Sequence, residues 1–220
     1  MIGNCKRLGL LPGVLYGLIL CMKPVTTSPT PCLGCGNQTL IQSRDKAQLM
    51  ESPAQELFMA YVFEQDLQSY DFICDEPVAW FPAKGMSKLP KMQMLKEIYR
   101  TLLNLGTAFV VMVEQQTALN PESSLLEKLN AAERSVKGLE SNIFCYLCSK
   151  KAFSDKIFPS DMPSTADVYD QKREGCRVLK SYSEFIKEVF VGLKRISMQG
   201  SKKQRSRKLH KTALHSILSK

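Results

Sequence analysis

Residues 95–144 read LKEIYRTLLNLGTAFVVMVEQQTALNPESSLLEKLNAAERSVKGLESNIF, and their periodicity decides the fold. Leu95, Ile98, Leu102, Leu105, Phe109 and Met112 are spaced 3-4-3-4-3. Leu125, Leu129, Ala132, Val136, Leu139 and Ile143 are spaced 4-3-4-3-4. At 3.6 residues per turn each set forms one apolar stripe on an amphipathic helix. Only Gln116–Asn120 joins the two, and Asn120-Pro121 supplies an N-cap and a proline at the first helical position. A link that short makes the two helices antiparallel neighbours.

Working outward, Cys176, Leu179, Tyr182, Ile186, Val189, Leu193 and Ile196 repeat the pattern. The stretch 38–64 is less regular, with Leu40, Ala47, Met50, Ala54, Leu57, Phe58 and Tyr61 as its apolar positions. Pro53 lies inside it and predicts a kink or break near Glu51–Ser52, because proline lacks a backbone donor and crowds the preceding turn. The spacing therefore predicts helices over about 38–64, 89–116, 121–150 and 166–198, with almost no strand. The two remaining links are long: about 65–88, with Pro77, Pro82 and Gly85, and about 152–165, with Pro159 and Pro163. Fourteen extended residues reach about 46 Å, and a helix of 27–30 residues is about 40–45 Å long. Both links can thus run the full length of a bundle and join parallel helices. The expected fold is all-α: a long-chain four-helix bundle, up-up-down-down, with two long crossover loops. An up-down bundle with loose loops is the alternative.

The chain ends carry separate information. Leu8–Met22 is an apolar run behind Lys6 and Arg7, followed by the small and polar stretch Pro24–Pro31. That outline is a secretory signal peptide, read as residues 1–27 with cleavage before Ser28. A cut nearer Cys21 and an uncleaved anchor are the alternatives. The mature chain then keeps six cysteines, Cys32, Cys35, Cys74, Cys145, Cys148 and Cys176. An even set in a secreted, extracellular chain reads as three disulfides, in any of fifteen connectivities.

From Lys194 onward there are nine Lys or Arg and no Asp or Glu, which leaves 21 basic against 21 acidic residues in the body. The positive charge thus belongs to a tail, residues 199–220, expected to be disordered, and not to a nucleic-acid-binding face. Attraction of the tail to heparan sulfate is a weaker second reading. Asn37-Gln38-Thr39 is the one N-glycosylation sequon. The only histidines, His210 and His215, lie in the tail, and no nucleophile motif, phosphate loop or HExxH occurs. The expectation is therefore no enzyme and no cofactor. Cys32-Leu-Gly-Cys35 and Cys145-Tyr-Leu-Cys148 have the form of two zinc knuckles, but the 109 residues between them far exceed the 15–20 of a zinc ribbon.

A series of segments in order resembles the leukaemia inhibitory factor group of the interleukin-6 family. They include Lys96-Glu-Ile-Tyr-Arg100, Leu105-Gly-Thr107, Leu119-Asn-Pro121, Lys128-Leu-Asn-Ala131 and Gly138-Leu-Glu-Ser-Asn142. Cys145-Tyr-Leu-Cys-Ser-Lys150, Asp167-Val-Tyr-Asp-Gln-Lys172 and Gly175-Cys176 follow, with Leu57, Phe58 and Tyr61 matching in the first helix. The resemblance covers about 32–196. It implies a secreted, monomeric cytokine that cross-links leukaemia inhibitory factor receptor and the shared signal transducer of the family to activate JAK–STAT signalling. Relatives of the ciliary neurotrophic factor, oncostatin M or cardiotrophin type, with other receptor pairs, are the alternative; a zinc-stapled secreted structural protein is a more distant one.

The resemblance also implies bridges Cys32–Cys148, Cys35–Cys145 and Cys74–Cys176. The first two cysteines stand closer together here than in the family pattern, which leaves the partner of Cys148 open between them. It implies one receptor surface at Tyr169 and Lys172, where the family has Phe-x-x-Lys, facing leukaemia inhibitory factor receptor. A second, of Gln42, Asp45, Gly138 and Asn142, would face the shared transducer. Glycine in mid-helix costs about 1 kcal/mol against alanine, so Gly138 raises the expectation that another backbone approaches closely there.

Overall fold

The computed structural model describes residue 32, residues 34–152 and residues 167–218. The expected signal peptide, residues 1–27, and most of the second crossover lie outside the described residues. Four helices, α1 (Asn37–Glu64), α2 (Lys91–Leu119), α3 (Leu125–Ser149) and α4 (Val168–Leu218), are accompanied by 3-10 turns at Gln68–Asp75 and Met86–Lys88. No strand occurs among the described residues.

Directions follow from side-chain contacts. Gln55 meets Ser183 and Tyr61 meets Lys172, so α1 and α4 are antiparallel. Cys35 joins Cys145 near one end of α1, and Glu64 meets Ser124 at the other, so α1 and α3 are antiparallel too. The Tyr99 and Phe144 rings lie 5.9 Å apart between α2 and α3. Phe109 and Tyr182 meet edge to face at 5.2 Å between α2 and α4. The last turns of α1 and α2 share an end, where Gln65 Nε2 donates to Gln116 Oε1 at 2.9 Å. The bundle is therefore up-up-down-down. Its core contains all six stripe positions of α2 and all seven of α4, while Ala132 of α3 is only partly covered.

Three features differ most from the sequence expectation. First, α1 runs unbroken through Pro53. The carbonyl that loses its helical partner belongs to Leu49, a residue on the solvent side, so the missing bond does not fall in the core. Second, α3 begins at Leu125 and not at Pro121. Residues 120–124 form turns, in which the Ser123 hydroxyl accepts from Leu125 N at 3.0 Å just ahead of the helix. Third, α4 continues to Leu218, through the segment expected to be a disordered tail. Its composition permits this: beyond Ile196 it has seven Lys or Arg and three Leu, no proline, and Gly200 as its one glycine.

The bridges are Cys32–Cys148, Cys35–Cys145 and Cys74–Cys176, with Cα–Cα distances of 5.6, 5.2 and 5.2 Å. The four cysteines of the two zinc-knuckle motifs are thus joined in disulfide pairs. The third bridge begins a strap in which the first crossover follows α4. Arg177 Nη2 donates to Pro77 O at 2.9 Å, and Lys180 pairs with Asp75. Ser87 N donates to Glu188 Oε2 at 3.0 Å, and Arg195 Nη1 to Lys88 O at 3.2 Å. The strap accompanies α4 from Cys176 to Arg195, about 28 Å of helix.

Candidate functional site

The start of α4 is built from four separate ties. Asp167 caps it, its Oδ1 accepting from Tyr169 N at 2.7 Å and Asp170 N at 3.1 Å. A carboxylate there also meets the positive end of the helix dipole. Tyr61, near the end of α1, is only 5% exposed, and its hydroxyl donates to Lys172 O at 3.3 Å. Burial pushes that hydroxyl above the usual tyrosine range, so it stays a neutral donor. Gly175 makes room for the ring: a Cβ there would lie 2.7 Å from Tyr61 Cζ. The Cys74–Cys176 bridge and the Arg177 contacts hold the next turn.

On this base Tyr169 stands 55% exposed, with Lys172 half-buried three residues on, where helical spacing places both on one face. Arg173 is engaged by Asp170 at 3.0 Å. Exposed apolar residues collect at the same end: Phe63 closes α1, Phe72 follows in the 3-10 turn, Leu119 closes α2, and Val168 opens α4. Glu64 accepts from the hydroxyls of Ser123 and Ser124, which ties the α2–α3 turn to α1. Sequence reasoning missed Asp167, although an Asp just before a helix is a capping signal. It also missed Tyr61 and Gly175 as a pair, which no local pattern joins.

The second set of candidate residues lies on the α1–α3 flank. Gln42 and Asp45 are exposed on α1; Gly138 and Asn142 are half-buried on α3. Asp45 is engaged by the Arg44 guanidinium at 2.6 Å. The space beside Gly138 holds the Lys46 side chain, whose Nζ would be 2.5 Å from an added Cβ. Within the chain, the close neighbour of Gly138 is thus the Lys46 side chain. Beside Lys46, a groove of about 320 Å³ is lined by Leu49, Pro53 and Glu56 of α1 with Lys128, Ala131 and Ser135 of α3. Leu49 is 76% exposed at its edge.

Asn37 is the first residue of α1 and is exposed. Its sequon partner Thr39 is buried and accepts from Gly36 N at 3.3 Å. Nineteen residue steps of helix take α1 from Gln42 to Tyr61, about 28 Å. The two candidate surfaces are thus far enough apart to be touched by two proteins at once.

A sequence model of the LIF / OSM family matches residues 38–192, more than half of the 220-residue chain. The chain belongs to the LIF / OSM family. The match runs from the start of α1 to Gly192 of α4, and it ends before the basic extension. Members of this family are secreted, non-enzymatic cytokines that bind receptors of the interleukin-6 family. No described helix is long and apolar enough to cross a membrane.

Proposed function

We propose that this LIF / OSM-family chain is a cytokine of leukaemia inhibitory factor type that holds two receptor chains together. In this reading Tyr169 and Lys172 meet leukaemia inhibitory factor receptor, while Gln42, Asp45, Gly138 and Asn142 meet the shared signal transducer, and the pairing activates JAK–STAT signalling. One observation carries the reading. Tyr169 is an exposed aromatic on a helix start that is capped, bridged and packed, among further exposed apolar side chains. An aromatic presented rigidly beside a lysine suits a hot spot, because little freedom is lost on binding. The hydroxyl that distinguishes Tyr169 from the family's phenylalanine needs a polar partner on the receptor.

The chain from Ser28, refolded with its bridges, is expected to raise STAT phosphorylation in cells bearing both receptors, and Tyr169→Ala/Lys172→Ala to abolish it. A response that needs the oncostatin M, ciliary neurotrophic factor or cardiotrophin receptors instead would move the protein to that branch. Secretion with removal of residues 1–27, a glycan on Asn37 and action as a monomer belong to the same proposal. Heparan sulfate retention by the basic end of α4 is its last part: a chain stopped at Met198 should elute from heparin at lower salt than the full chain.

A further inference from the structure

We infer that Tyr61 and Gly175 are positioning residues for the receptor face at the start of α4, a role that rests on the proposed use of Tyr169 and Lys172. The ring of Tyr61 comes from α1 and sits in the notch that Gly175 leaves on α4. Its hydroxyl bonds the carbonyl of Lys172, one of the two candidate contact residues. Lys172 lies three residues beyond Tyr169, within the same helical turn, so the contact fixes the helix where the exposed ring leaves it.

The other ties at this end act from different directions. Asp167 organises only the backbone donors of the first turn. The Cys74–Cys176 bridge and Arg177 hold α4 to the crossover. Tyr61 ties this turn to α1, and through it to the end where Phe63 and Glu64 lie. Rotation of α4 about its own axis would sweep Tyr169 across the surface. A buried ring wedged between two helices resists that rotation more than a flexible chain would.

The chemistry of the notch explains why glycine stands there. Any side chain at 175 would meet the Tyr61 hydroxyl and Cζ first, and an aromatic ring cannot bend aside. Gly106 has nothing within 4 Å of a built Cβ, and Gly138 faces only the free end of a lysine. Of these three helical glycines, Gly175 is the one whose neighbour is rigid.

The test measures the two receptor ectodomains separately on the full mature chain. Gly175→Ala should weaken leukaemia inhibitory factor receptor binding about three- to tenfold, within the range for coupled neighbours. Tyr61→Phe should weaken it about two- to threefold. Both should leave binding of the shared transducer within a factor of about two. In the Tyr61→Phe background the Gly175→Ala penalty should shrink, because the atom nearest the new Cβ is gone.

Tyr61→Phe removes one oxygen, so it carries the test even where Gly175→Ala misfolds. Equal losses at both receptors, or no loss in a chain where Tyr169→Ala/Lys172→Ala abolishes binding, would overturn the positioning role alone. If Tyr169→Ala/Lys172→Ala also binds normally, the face itself fails and the positioning role with it.

Discussion

The start of α4 and the α1–α3 flank both place a glycine opposite a side chain from α1, yet the two regions are built differently. At Gly175 the neighbour is a buried tyrosine ring bonded to the opposite backbone. At Gly138 it is the end of a half-buried lysine that can swing away. The first region is also capped by Asp167 and bridged through Cys176; the second has the Lys46 side chain lying over it and an open groove beside it. The contrast teaches that one surface is presented by a rigid scaffold, while the other can adjust its side chains to whatever docks there.

The largest expected effect that would break this contrast comes from opening the bridge at the rigid end. Cys74→Ser/Cys176→Ser should destabilise the fold by about 2–5 kcal/mol, measured by denaturant unfolding. It should also weaken receptor binding at the α4 start more than at the flank. Equal weakening at both would mean that the bridge serves only global stability.

The two glycines sharpen the comparison with opposite signs. Gly175→Ala should cost about 1–3 kcal/mol, because the ring or the helix must move. Gly138→Ala should be neutral or stabilising by up to about 1 kcal/mol, as helix propensity improves and Lys46 yields. Thermal melts of the two single variants decide it. A matching loss at both positions would contradict the distinction between a rigid and a yielding neighbour.

The smallest effect lies on the far side of α3. Burial lifts the Glu140 carboxyl above its ordinary range, against the lowering pull of Lys137, and Glu140 in turn helps to raise Tyr99. A group raised on folding contributes stability below its unfolded pKa and loses it as pH rises through the folded value. The wild type should therefore gain slightly on mild acidification in the carboxylate range. Glu140→Gln should flatten that dependence, as read from stability against pH, and leave both receptor surfaces unchanged.

Much of the fold was legible because the stripes of α2, α3 and α4 are continuous and face a single core. What was not legible depended on partners that local pattern cannot see. Pro53 looks like a break until the solvent side of α1 is known. Pro121 looks like a first helical residue until the turns over 120–124 are seen to delay the helix to Leu125. The dense positive charge beyond Met198 suggested a disordered chain, where the structure continues the helix. At the candidate site, the Tyr169–Lys172 pair shows in sequence only through the resemblance to the family's Phe-x-x-Lys. Tyr61 and Gly175 do not, since 113 residues separate them and neither is unusual by itself. Their relation exists only once α1 and α4 lie antiparallel.

The central claim is that two separate surfaces hold two receptor chains at the same time. A biosensor test addresses it directly: leukaemia inhibitory factor receptor ectodomain captures the mature chain, and the shared transducer ectodomain is then passed over it. The account predicts that the transducer adds to the captured chain. Capture should be lost with Tyr169→Ala/Lys172→Ala, while the transducer still binds that variant alone. Mutual exclusion of the two ectodomains, or one variant abolishing both contacts, would contradict it.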